Sequence, residues 1–148
     1  MRRLALVLAL LSVAPATPAF AQDAVPDLKG TWSGKGKAII FGSNPHHSGT
    51  QTAVDPPRVR EIEATYTVEG QDGRVVWGRS SSAAAETKEP FAWAISSDNK
   101  SIVGADMDGY FHITLLSADR MEKCYVHNST SPTRSIVATC YVVERVKR

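Results

Sequence analysis

Three observations in the sequence predict an all-β protein, an eight-stranded antiparallel up-and-down barrel. Eight extended runs follow one another, separated by turn signals at short intervals. No window of a dozen residues carries an apolar period of 3.6. The connections are short apart from one, which suits strands that pair with their sequence neighbours, and closing the sheet removes its exposed edges. A two-sheet β-sandwich is the alternative, less well matched because Greek-key folds use more long connections than this chain offers.

The chain has 148 residues, of which 43% are hydrophobic and 22% charged, the composition of one globular domain. Its first 21 residues stand apart, because Arg2 and Arg3, the apolar run Leu4 to Leu11 and Ala19-Phe20-Ala21 form the three-part pattern of an export signal. That pattern predicts a periplasmic or secreted protein and leaves residues 22–148 as a single barrel domain. The apolar run falls short of the roughly 20 residues that cross a bilayer, and no later run is as long, so no membrane insertion is expected. Removal of the signal takes away two arginines and no acid, leaving 15 basic and 15 acidic residues. A neutral domain lacks the cationic surplus that nucleic-acid binding draws on.

The elements follow in order. Trp32 to Phe41 is the first strand, and Gly42 to Pro57 is the long polar loop, with Pro45, Pro56 and Pro57 in it. Arg58 to Glu69 alternates Ile62, Ala64, Tyr66 and Val68 with Glu61, Glu63, Thr65 and Thr67, one dry and one wet face of a strand. A tip at Gln71-Asp72 leads into Arg74 to Ser80 and sets Val68 opposite Val75 and Tyr66 opposite Trp77. Ser81 to Lys88 contains Ala83-Ala84-Ala85, the stretch best able to form a helical turn. Glu89 to Ser96 and Ser101 to Asp106 turn at Asp98-Asn99, placing Ile95 opposite Ile102 and the ring of Trp93 over Gly104. Asp108-Gly109 is a hairpin signal leading into Tyr110 to Leu116, with Asp106 opposite Phe111 and Gly104 beside Ile113. Arg120 to His127 and Ser135 to Arg145 complete the eight. These pairings predict an interior of Ile62, Tyr66, Val68, Val75, Trp77, Phe91, Trp93, Ile95, Ile102, Ile113 and Leu115.

Cys124 and Cys140 are the two cysteines of the chain, and each lies eight residues from Pro132 at the centre of the last hairpin. They are therefore cross-strand neighbours, and in an exported chain that predicts a disulfide rather than a metal or redox site.

The segment Asp27-Leu28-Lys29-Gly30-Thr31-Trp32 carries a Gly-x-Trp into the first strand. It resembles the opening of the calycins, which include the lipocalins and avidins. Those barrels tend to set a basic residue of the last strand against that tryptophan, so the resemblance implies that Arg145 covers Trp32 and closes one end. Tyr141 and Val143 then share the inward face with Arg145, and the cysteines point outward. Thr65-Tyr66-Thr67 looks like the second tyrosine-bearing segment of avidins. Ser33-Gly34 stands where avidins carry a biotin-contacting asparagine, so biotin is not implied. The whole chain also resembles a group of small exported bacterial proteins.

In an up-and-down barrel alternate connections share an end, so Gly42 to Pro57, Ser81 to Lys88, Met107 to Gly109 and Asn128 to Arg134 crowd the mouth opposite Trp32. His46, His47 and His127 gather there with Asp55, Asp106 and Asp108. These histidines are the candidate metal ligands, but adjacent histidines point apart and no HxH or HxxxH spacing occurs, so no metal and no cofactor is predicted. Ser80-Ser81-Ser82 has no neighbouring base to make a nucleophile. The function expected is non-enzymatic: the barrel mouth takes a small, partly apolar ligand, with Tyr66, Trp77, Trp93 and Tyr125 supplying apolar surface with polar handles. The alternative is a protein-interaction module, an inhibitor or accessory subunit of another exported protein acting through the 42–57 loop. An enzyme is the third reading.

Overall fold

The computed structural model describes residues 24–42, 55–82, 85–128 and 135–147. The first 21 residues, expected to be an export signal, His46 and His47 of the first loop, and the tip of the last hairpin lie outside the described residues. Eight strands, β1 (Gly30–Gly42), β2 (Arg58–Asp72), β3 (Val75–Ser82), β4 (Ala85–Ile95), β5 (Ser101–Ala105), β6 (Gly109–Ser117), β7 (Arg120–Asn128) and β8 (Ser135–Arg145), pair antiparallel in sequence order. β8 returns to β1 and closes the barrel. The sandwich alternative is thereby replaced, and no helix occurs among the described residues. Ala85 to Lys88 belongs to β4 rather than to a helical turn.

The expected faces hold on six strands and need refinement at two turns. Ile95 pairs with Ile102 and Trp93 with Gly104, and the Trp93 ring lies where a Cβ on Gly104 would sit. At the β5–β6 turn the tip is Met107-Asp108, because Asp106 Oδ1 accepts hydrogen bonds from the backbone N–H groups of Asp108 and Gly109 at 3.0 and 2.8 Å. Gly104 therefore pairs with Phe111 and Ile102 with Ile113. The register moves by two residues from the expected one, which leaves every side chain on its expected face.

β3 is a correction. The β2–β3 tip is Gly73-Arg74, with Gly73 at a φ of 53°, and the register shifts between Val68 and Gly70. The extra residue, Glu69, is a β-bulge, and one added residue exchanges the faces of the partner strand. Val68 pairs with Gly78 and Tyr66 with Ser80. Val76 and Gly78 point inward, while Val75 and Trp77 are outside, 53% and 47% exposed. The Trp77 indole lies flat over Gly70 on the outer surface.

At the closed end Trp32 is fully buried and pairs with Arg145, whose guanidinium lies 4.2 Å from the indole centroid. Residues 24–29 cross beneath the barrel. Trp32 Nε1 donates to Leu28 O at 2.9 Å, Leu28 N donates to Gln71 Oε1 at 2.8 Å, and Arg145 Nη2 donates to Asp27 O at 2.9 Å and Ala118 O at 3.1 Å. Arg145 thus ties two segments, the 27–29 lead and the β6–β7 turn, to the tryptophan that its own side chain covers.

Cys124 pairs with Cys140 and the two form a disulfide. It lies on the outer face, with Cys140 exposed and Tyr141 and Val143 buried on the opposite face of β8.

Two apolar clusters fill the interior unevenly. The larger occupies the closed half and includes Leu28, Trp32, Tyr66, Val76, Trp93, Ile102, Phe111, Ile113, Met121 and Val143. The smaller, Ala38, Ile40 and Val137 with part-buried Ile62, lines the open half.

Candidate functional site

Between the two clusters lies a cavity of about 230 Å³ that opens toward the β1–β2, β3–β4, β5–β6 and β7–β8 connections. It exists because inward positions in the open half carry small side chains: Ala38 on β1, Ala64 on β2, Ser80 on β3 and Thr139 on β8. The walls are largely apolar, contributed by Ile40, Ile62, Val137 and the ring of Phe111. Glu89, Asp106 and Asp108 lie on the β4–β6 side of the rim, and Arg60 on the β2 side. The volume falls a little below the range of about 300–1,000 Å³ typical of pockets for drug-sized ligands, so it has room only for a small molecule.

The floor is a lysine. Lys123 Nζ on β7 donates to Tyr66 OH and, at 3.2 Å, to Tyr141 OH, and the two hydroxyls are themselves 3.0 Å apart. Nζ also lies 4.6 to 5.1 Å from the ring centroids of Tyr66, Phe111, Tyr125 and Tyr141. Lys123 is 3% exposed. Desolvation lowers its pKa from 10.5 to about 7, against a smaller opposing pull from the Asp106 carboxylate. Among the described residues no carboxylate lies within salt-bridge distance of Nζ. Burial also raises the pKa of Tyr66, with the neighbouring Tyr141 adding to the effect, and burial raises that of Tyr141. Both hydroxyls keep their protons at neutral pH.

The ligand residues expected from the sequence separate into three groups. Tyr66 and Tyr125 line the cavity. Tyr125 OH donates to Asp106 Oδ1 at 3.1 Å, and its ring occupies the space that the missing Cβ of Gly109 leaves free. Trp93 lies below the floor, stacked on Phe91 at a centroid distance of 4.1 Å and tilted against Tyr66 at 6.0 Å. It supports the site from beneath without lining it. Trp77 is outside the barrel, for the bulge reason given above. His127 is buried in the upper wall, with Nε2 hydrogen-bonded to Ser135 Oγ at 3.2 Å. Among the described residues no three His, Cys, Asp or Glu side chains cluster closely enough to hold a metal ion.

Lys123 is the residue that sequence reasoning passed over, and Tyr141, expected on the inward face, was not assigned to the site. The signal was present in the last hairpin: once Cys124 faces outward, alternation turns both Lys123 and Tyr125 inward.

No protein-family model matches the chain, and no curated protein sequence matches it. Among solved structures the chain is similar to an S-type phycobiliprotein lyase from Guillardia theta, at 10% identity and a TM-score of 0.38, over 82% of this chain and 89% of that one.

Proposed function

We propose that this is an exported, calycin-like binding protein that takes a small, largely apolar ligand carrying an oxygen acceptor into the open half of its barrel. The observation that carries this reading is the unfilled space between the two apolar clusters, floored by polar groups that converge on one point. Ile40, Ile62, Val137 and Phe111 would take up the apolar body, while Lys123 with Tyr66 and Tyr141 would meet the oxygen and Tyr125 would close over one side. The Arg145–Trp32 closure supports the calycin resemblance. The export pattern of the first 21 residues and the Cys124–Cys140 disulfide support a periplasmic or secreted location. The interaction reading rests on a loop whose residues 43–54 lie outside the described residues.

Thermal denaturation in the presence of small aromatic alcohols and ketones tests the proposal. A ligand that binds the folded barrel raises its stability by about 2.7 kcal/mol at one hundred times Kd. The expected result is a dose-dependent rise in Tm that Ala64→Phe, which fills the cavity from β2, abolishes. A panel without effect on either protein would refute it.

A further inference from the structure

We propose that Lys123 captures aldehyde ligands covalently, as a reversible imine formed at the floor of the barrel cavity. This deepens the binding function proposed above and rests on it. The geometry is that of an amine with no carboxylate within salt-bridge distance among the described residues. Nζ lies at the bottom of an apolar cavity, among four aromatic rings, and its hydrogen-bond partners are two neutral hydroxyls. The titratable groups that face it are Tyr66 from β2, Tyr141 from β8, Tyr125 on its own strand and Asp106 from the β5–β6 turn. Asp106 is held at the rim by Tyr125 OH and by two backbone N–H groups. An ammonium buried without a carboxylate is costly, so the site favours the neutral amine, whose lone pair is a nucleophile.

The ligand class follows from the same arrangement. A largely apolar cavity with an amine and two hydroxyls converging at its floor suits a neutral carbonyl compound with a small apolar body. The Nζ lone pair adds to the carbonyl carbon as the carbonyl π bond opens. The oxygen takes a proton from Tyr66 or Tyr141, and the tyrosine recovers one from the nitrogen. The carbinolamine then loses that oxygen as water, carrying the second nitrogen hydrogen with it by the same relay, and a C=N bond remains. One amine and one aldehyde give one imine and one water, with no oxidant or reductant. The tyrosine hydroxyls suit this relay because burial holds them protonated.

Desolvation lowers the Lys123 pKa to about 7, so at neutral pH its free-amine fraction exceeds that of surface lysines at their ordinary pKa near 10.4.

The test uses benzaldehyde as the probe, with cyanoborohydride to reduce any imine, at pH 7, followed by peptide mapping. Benzyl alcohol, which has the same body and no carbonyl, is the non-covalent control, followed by its effect on Tm. The expected result is one benzyl group per chain, on Lys123 ahead of Lys29, Lys35, Lys37, Lys88, Lys100 and Lys147. Benzyl alcohol should slow this labelling, and Lys123→Met and Lys123→Arg should lose it. If benzyl alcohol raises Tm but the label spreads evenly over the lysines, covalent capture is overturned and the binding function stands. If the alcohol has no effect and Lys123 is unlabelled, both fall. Selective labelling of Lys123 without an effect of the alcohol supports capture and overturns non-covalent binding.

Discussion

Lys123 occupies an inward position among the rings of Tyr66, Phe111, Tyr125 and Tyr141, and that single side chain makes the stability of the protein depend on pH. Its pKa is about 7 in the folded chain and near its ordinary value of 10.5 when unfolded. Between those values the unfolded chain binds more protons than the folded one, so stability rises with pH across the window. Below pH 7 the penalty of a buried ammonium is fully present, and above 10.5 it has gone. Lys123→Met removes the charge and keeps the apolar stem, and Tyr66 and Tyr141 retain each other at 3.0 Å. The variant should melt several degrees above the parent at pH 6, with the gap narrowing toward pH 10. A constant gap would contradict a buried, uncompensated amine. A lysine within a run such as Glu122-Lys123 reads as a solvated surface in isolation, because charge normally marks the wet face. Its inward direction becomes legible through its neighbours: the outward disulfide fixes the parity of β7, and parity outranks polarity.

At the scale of a strand, β3 shows how one inserted residue redirects a whole element. Val75-Val76 is apolar at both parities, so the pattern of β3 fits either face, and Glu69 carries no mark of a bulge. The choice between faces was thus set by the β2–β3 register, which depends on backbone geometry that alternation alone does not encode. β4, β5 and β6 were legible because their rings and glycines interlock: Trp93 needs the open position at Gly104, and one register supplies it. The face of β3 is checked by a pair of substitutions. Val76→Ser buries a hydroxyl and opens space in the closed half, and should cost more than about 2 kcal/mol. Trp77→Ser removes a ring that is half in solvent and should cost less than about 1.5 kcal/mol. Urea denaturation measures both, and the reverse order would return Trp77 to the interior.

The whole molecule is a barrel of two unlike halves. Strand count, order and closure were readable because each depends on turn spacing and on the Trp32–Arg145 pair at its ends. The cavity was not, since it depends on the summed volume of inward side chains from all eight strands. Its sequence trace is the gathering of Ala38, Ala64, Ser80 and Thr139 toward one end, and it appears only when the registers are known. An eight-stranded barrel has just enough interior for side chains to fill it, so this clustering of small residues separates a container from a solid scaffold. A methyl-labelled ¹³C NMR titration with benzyl alcohol is the most direct measurement. Saturable shifts are expected in the methyl groups of Ala38, Ile40, Ile62, Ala64 and Val137, with those of Ile102, Ile113 and Val143 in the closed half unmoved. Shifts confined to outward methyl groups such as Val75 and Val103, or no saturable shifts at all, would contradict it.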